Sequence, residues 1–369
     1  MYENDKRVVL TLDAGGTNFV FSAIRGNKQI VRPIGMPSAS DDLDRCLSTL
    51  VAGFDAVIKE LDTAPVAVSF AFPGPADYKN GVIGGNLPNF PSFRQGVALG
   101  PFLQHRYGIP VYIENDGNLF AYGEALSGAL PMVNAALKAA GSNREYHNLL
   151  GITLGTGFGA GVVIDNRLLT GDNGCGGDVW LMRNKKYPSM ISEESVSIRA
   201  VKRVYRELSG SEDGGLTPKD IFDIAEGMRA GDRQAAIASF RELGEMAGSA
   251  IASALNIVDG VVVIGGGLMG ASRYILPSLV NELRTTVSMF SGECFPCVQM
   301  DVYNWEEEPE RTRFLSSSSR QVLIPGTSIQ VPYNDSKRIA VMCSRSGASS
   351  SIMRGAYAYA LSQLDFSFQ

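Results

Sequence analysis

VVLTLDAGGTNFVFSAI, residues 8–24, is the stretch whose reading decides the fold. Two apolar runs rich in Val, Leu, Phe and Ile read as strands, and the join between them carries a carboxylate, Asp13, a glycine pair, Gly15 and Gly16, and a hydroxyl, Thr17. Consecutive glycines at a hairpin tip let backbone N–H groups approach an anion closely, which cradles phosphates without a lysine. An acid beside bound phosphates repels them unless a divalent cation intervenes. Asp13 is therefore expected to serve Mg²⁺, directly or through water, with Thr17 adding a hydroxyl. The competing reading is an ordinary hairpin, for which a glycine pair is a routine turn signal.

The pattern returns at residues 148–165, NLLGITLGTGFGAGVVID, with Gly155, Thr156 and Gly157 in the turn and Leu154 where the first copy has Asp13. Two such hairpins, each leading a run of strands and helices, indicate a duplicated α/β domain and a nucleotide held by both turns. A third glycine cluster, Gly265, Gly266 and Gly267, leaves the apolar run VVVI and enters a helical stretch. Backbone there can lie flat against a base or ribose. A dinucleotide fingerprint is the rival, weakened because no strand with an acidic end follows.

Composition sets the limits. The 369 residues suffice for two domains, and 19% charged with 45% hydrophobic residues excludes disorder and collagen. A formal net charge of −5 argues against a nucleic-acid partner, since neutralising phosphates needs clustered Lys and Arg. The lead MYENDKR is polar and no apolar run is long enough to span a bilayer, so a cytoplasmic protein with no membrane partner is expected. The five cysteines include the pair Cys294 and Cys297 in CFPC; half a zinc site or a redox motif competes with free thiols, the reading favoured here. Residues 306–321, EEEPERTRFLSSSSRQ, read as a solvated excursion spanning about 298–340.

The catalytic candidate is ENDGN, residues 114–118. Asp116 follows the strand-like IPVYI, so its carboxylate sits where open α/β sheets place ligands. From there it can accept the proton of a hydroxyl attacking a γ-phosphate. The alternative is an N-cap for a helix beginning near Gly117. Asn115 adds a polar contact. In the long loop PGPADYKNGVIGGNLPNFPSF, residues 73–93, Asn89 can hydrogen-bond a polyol.

These motifs resemble the ROK family (repressors, open reading frames and kinases) of the actin-like ATPase and sugar-kinase superfamily. LDAGGTN stands for the family's D-x-G-G-T, FPGPAD for its P-G-P loop, IENDGN for E-N-D-x-N, LGTGFGAGVV for G-T-G-x-G-x-G, and VVVIGGGL for its late glycine run. The resemblance covers most of residues 8–290 and the last helix. It implies two duplicated ribonuclease-H-like domains with a nucleotide and sugar cleft between them, the first comprising 1–126 and 346–369 and the second 127–345. It also implies ATP-dependent, Mg²⁺-assisted phosphorylation of a hexose or N-acetylhexosamine, commonly at the 6-hydroxyl, by a glucokinase-like, fructokinase-like or N-acetylhexosamine kinase-like enzyme. On this resemblance Asp116 is the base, Asn89 and Asn115 hold the sugar, Asp13 serves the metal, and Gly265 to Gly267 line the adenosine site. Gly15, Gly16, Thr17, Gly155, Thr156 and Gly157 hold phosphates. A homodimer or other homo-oligomer is expected by analogy.

One segment departs from the family. Its kinases carry G-E-x-G-H before a cysteine-rich zinc segment; here GGDVWLM, residues 176–182, places Asp178 at the glutamate, Trp180 at the glycine and Leu181 at the histidine. No structural zinc is expected, and the sugar contact at Asp178 is one methylene shorter. Trp180 either stacks on a sugar face or fills the space of the lost metal. The later sugar-binding glutamate corresponds to Glu193, or to Glu194 if the alignment slips by one; a helix cap is the plain alternative. The family's repressors carry a winged-helix segment before the first strand that the short polar lead does not match. Two other classes stay open: a sugar- or nucleotide-binding protein that has lost catalysis, and an ATPase of the wider superfamily.

Overall fold

The computed structural model describes residues 1–74, 76–211, 214–316 and 320–366. Two compact units share the chain: Met1–Ala129, Ala160–Gly177 and Arg345–Gln369 in the first, Leu130–Gly159 and Asp178–Ser344 in the second.

The opening hairpin forms as its sequence implies, with β1 (Val9–Ala14) antiparallel to β2 (Asn18–Arg25). The short strands β3 (Lys28–Gln29) and β4 (Ile34–Pro37) add to β2. Helix α1 (Leu43–Lys59) starts where the Asp42 carboxylate accepts the Arg45 N–H, a side-chain cap on an otherwise unpaired donor. It buries Cys46, Leu50, Phe54 and Val57 at helical spacing against the sheet. β5 (Ala67–Ala71) follows, then the small hairpin of β6 (Ala76–Asp77) and β7 (Val82–Ile83), helix α2 (Leu99–Tyr107), β8 (Val111–Glu114) and α3 (Asp116–Ser127). The main sheet runs β3-β2-β1-β5-β8, with β5 parallel to both β1 and β8. Val8, Leu10 and Leu12 belong to the core that includes Phe54, whereas Val9 packs with Tyr357 and Leu361. Both faces of β1 are thus covered, which is why apolar residues follow one another from Val8 to Leu10 instead of alternating with polar ones.

The connection after α3 is helix α4 (Ala129–Ala139). The second hairpin consists of β9 (Leu149–Leu154) and β10 (Phe158–Ile164), extended by β11 (Arg167–Leu168). Three helices follow: α5 (Ile198–Ser209), α6 (Pro218–Ala225), which opens on a Thr217–Asp220 capping box, and α7 (Arg233–Val258). β12 (Val261–Gly265) leads through a short 3-10 turn into α8 (Ser272–Leu283).

The stretch 298–340, expected to be a solvated loop, holds regular structure instead. After the hairpin of β13 (Thr286–Ser288) and β14 (Cys294–Pro296) come β15 (Asp301–Asn304), α9 (Glu308–Leu315), the hairpin of β16 (Arg320–Leu323) and β17 (Gln330–Tyr333), and β18 (Arg338–Cys343). Residues 317–319 lie outside the described residues. The polar composition misled because α9 is a surface helix with Glu308 and Glu310 in its first turn and only Phe314 buried. The last helix, α10 (Ala348–Phe366), packs on β1, β5 and α3 in the first unit. The second sheet is ordered β11-β10-β9-β12-β18-β15, with β9, β12, β18 and β15 parallel.

All five cysteines are free. An extended strand separates Cα atoms three positions apart by roughly 10 Å, too far for a disulfide between Cys294 and Cys297. Among the described residues no helix is long and apolar enough to cross a membrane.

Candidate active site

In the first unit, Asp13 pairs in register with Ala71 of β5, and Ala71 with Glu114 of β8. This row sets Asp13 about 10 Å from Glu114 at the backbone and places Asp13 and, two residues past Glu114, Asp116 at the C-terminal edge of parallel strands. Asp116 does not cap α3. Asn115 does: its Oδ1 accepts the Gly117 N–H at 2.8 Å, and Asp116 is the first helical residue. The neighbouring Glu114 is buried, and its Oε1 accepts the Asn115 N–H at 2.8 Å and the Asn118 side-chain N–H at 3.1 Å. This carboxylate, not singled out in the sequence, holds the strand-to-helix turn that presents Asp116.

Asp13 and Asp116 are both exposed at their side chains. Desolvation pushes the Asp116 carboxyl above the usual carboxylate range, and the like charge of Asp13 adds to the rise, against the Gly117 N–H that favours the ionised form. Asp13 is raised by desolvation alone. Were Asp116 to take a proton in a reaction it would do so only when ionised, so the rate would fall on the acid side with an apparent pKa above the usual value of about 4. A pH–rate profile flat down to pH ~4 would remove that role.

The turn of the first hairpin closes through Gly15 N–H donating to Asn18 O at 3.0 Å, and Ser38, buried, ties it down by donating its N–H to Thr17 O. Gly16 and Thr17 line a recess of about 390 Å³ with Ser40, Pro88, Asn89 and Pro91. A Cβ on Gly16 would lie 2.9 Å from the Asn89 Cβ, so only glycine admits this approach. Asn89 is carried there by its neighbour Phe90, buried against Phe19 and Phe72 with ring centroids 6.1 Å and 4.6 Å away. Of the P-G-P loop, Pro75 lies outside the described residues.

In the second unit, Gly265 and Thr153 are register partners on parallel strands, so the third glycine cluster and the turn of the second hairpin emerge side by side. Gly266 adopts φ +101°, and a Cβ there would lie 2.3 Å from Leu154 O. Thr156 and Gly267 are exposed. Glu193 reaches this turn: its Oε2 accepts the Phe158 N–H at 3.1 Å, and a Cβ on Gly157 would lie 2.6 Å from that oxygen. Arg199 pairs with Glu193 at 3.1 Å and with Glu194 at 3.0 Å. The structure thus sets Glu193, read as a sugar contact, against the turn of the second hairpin with an arginine on its other oxygen. Arg199 escaped sequence reasoning, since a lone arginine on a helix carries no motif.

Asp178 is exposed and precedes a 3-10 turn, Val179–Leu181, without capping it. Trp180 is half-buried and Leu181 is exposed. The following loop is closed by Asn184, buried, whose Nδ2 donates to Ser195 Oγ at 2.8 Å and to Ile191 O at 3.2 Å, while its Oδ1 accepts the N–H groups of Lys186 and Tyr187.

A sequence model of the ROK family matches residues 9–302. The chain belongs to the ROK family. A crystal structure of glucokinase from Parabacteroides distasonis is 60% identical, covers 98% of this chain and 99% of its own, and superposes with a TM-score of 0.89. The glucokinase of Thermotoga maritima is 28% identical over 77% of this chain and 93% of its own length. A ROK glucokinase from Streptomyces griseus, solved with glucose and AMPPNP, is 20% identical over 95% of this chain and 98% of its own, with a TM-score of 0.60, and shares the fold. The ROK resemblance and the α/β fold class, both expected from the motifs, are borne out, and the fold carries two mixed sheets.

Proposed function

We propose that this ROK-family protein is a cytoplasmic kinase that transfers the γ-phosphoryl group of ATP to the 6-hydroxyl of a hexose or N-acetylhexosamine. Glucose is the first candidate, given the 60% identity to the Parabacteroides glucokinase. The observation that carries the reading is Asp116, held by the Asn115 cap at the C-terminal edge of a parallel strand with its carboxyl raised by its surroundings.

Asn89 and the amide of Asn115 orient the sugar, and the chemistry is positioning plus charge stabilisation. The sugar oxygen forms its bond to the γ-phosphorus as the bond to the bridging oxygen breaks, and the electron pair leaves with ADP. Asp116 takes the hydroxyl proton. Asp13, a carboxylate in no described ion pair beside the glycine turn, would hold Mg²⁺ directly or through water. A cation held there would supply neutralisation of phosphate charge. Backbone N–H groups at Gly15, Gly16 and Gly155 to Gly157 cradle phosphates, with Thr17 and Thr156 adding hydroxyls, and Gly265 to Gly267 border the adenosine. Asp178 contributes a further sugar contact. Glu193 does so too, or serves the phosphate turn it already touches.

The test is ADP release from Mg-ATP against a panel of hexoses, ketohexoses and N-acetylhexosamines, with mass detection of the sugar phosphate. A strong response to one member is expected and names the substrate. Silence across the panel with ATP still bound would instead mean a binding protein that has lost catalysis.

A further inference from the structure

The end strand of the first sheet has a free side. β8 closes the order β3-β2-β1-β5-β8, and its bonds run to β5, where Pro110 O and Glu114 O accept the N–H groups of Val68 and Phe72 at 2.9 Å and 3.0 Å. Hydrogen-bonding direction alternates along a strand, so Val111 and Ile113 turn their N–H and C=O groups away from β5. A bare strand edge is usually covered or blunted. Here the whole run from Pro110 to Glu114 borders a cavity of about 920 Å³, together with residues of α10, β11 and the loop that follows β11. Every residue bordering it belongs to the first unit, and Asp13, Asn89, Asn115 and Asp116 are not among them.

Three phenol rings border this cavity. Tyr359 of α10 meets Tyr112 of β8 and Tyr122 of α3 edge to face, with ring centroids 6.2 Å and 6.3 Å away. Glu114 borders it too and is only 3% exposed. Its Oε1 is taken by the Asn115 N–H and the Asn118 amide, while its Oε2 accepts none of the described hydrogen bonds. Burial holds this carboxyl above the usual range, so it draws a hydroxyl donor without calling for a counter-cation. Elsewhere on the lining Asp77 and Asp172 are balanced by Lys79 and Arg167, the arginine lying 5.1 Å over the Phe366 ring. Neither sign of ligand charge is favoured there.

We propose that this cavity is a second binding site, separate from the catalytic edge, for a neutral carbohydrate of disaccharide size. A sugar hydroxyl donates and accepts at once, which suits a lining that offers a carboxylate oxygen, phenol hydroxyls and both backbone groups of a strand edge. The C–H faces of sugar rings pack on the tyrosines. Volume sets the length of the ligand: it lies near the upper end of the range for small-molecule sites, more than one hexose fills. The site stands on the cavity alone and does not depend on phosphoryl transfer. Its occupancy still reaches the turn that presents Asp116, because Glu114 serves both.

Titration calorimetry of the full chain with maltose, cellobiose and sucrose is expected to show binding of at least one of them with a Kd of about 1 mM or tighter. Thr170, half-buried in the loop after β11, borders the cavity. Thr170→Trp fills that space and is expected to weaken the binding at least ~10-fold, with ATP affinity and the thermal midpoint close to wild type. If this variant melts early, Gln104→Trp, at an exposed position of α2 on the same lining, serves in its place. Hydrogen exchange with the sugar bound should slow at the amides of Val111, Ile113 and Asn115. Failure of all three sugars to bind at about 10 mM, binding that survives the tryptophan, or binding that leaves those amides unchanged would overturn the proposal.

Discussion

Asp116→Asn is expected to lower kcat by about 10²–10⁴ while ATP affinity stays within a few-fold of wild type. The substitution keeps the shape of the side chain and removes only its capacity to take a proton. It leaves the helix cap in place, because the cap is Asn115 and the turn beneath it is held by Glu114. The same variant should not lose stability. A carboxyl whose pKa is raised on folding binds its proton more tightly in the native state, so stability falls as pH rises from the unfolded pKa through the folded one, and at neutral pH the ionised group is a net destabilisation. Neutralising it is expected to raise the midpoint of thermal unfolding at pH 7. A variant with wild-type turnover would displace Asp116 as the base; one that is inactive and melts well below wild type would show instead that the residue supports the fold.

Gly266→Ala is expected to destabilise the second unit by about 3 kcal/mol or more and to weaken binding of an ATP analogue at least tenfold. Two independent effects coincide. Alanine at φ +101° occupies backbone space that L side chains rarely adopt, and its Cβ would lie 2.3 Å from Leu154 O, a backbone atom at the end of β9 that cannot turn aside. Relief requires β12 to move from β9 where the turn of the second hairpin begins, and that movement displaces the groups assigned to phosphate. Gly267→Ala is the internal comparison. No atom lies within 4 Å of its Cβ position, so the melting temperature should barely change. Thermal unfolding of the two variants side by side decides the matter, and equal losses at both positions would refute the steric argument.

Each element that was legible had a local cause. The two hairpins announce themselves through apolar runs flanking glycine turns, and ENDGN announces a strand passing into a helix. What sequence could not give was the company those residues keep. Asn89 reaches Gly16 because Phe90 seats the loop in an aromatic core, and nothing between positions 16 and 89 encodes that approach locally. Glu193 meets Phe158 across a long connection. β15 is four residues long, with too few side chains to show a period, so a strand inside the second sheet read as loop.

The sequence by itself determined the duplication, the order of the motifs and the family, because these rest on residue identity and short spacing. Tertiary structure alone decided that Asn115 rather than Asp116 caps the helix, that desolvation, with a smaller push from the charge of Asp13, raises the carboxyl of Asp116, and that residues 160–177 join the first unit. Such facts depend on distances between atoms far apart in the chain. Desolvation and like-charge repulsion act through space, and no local pattern of residues reports them.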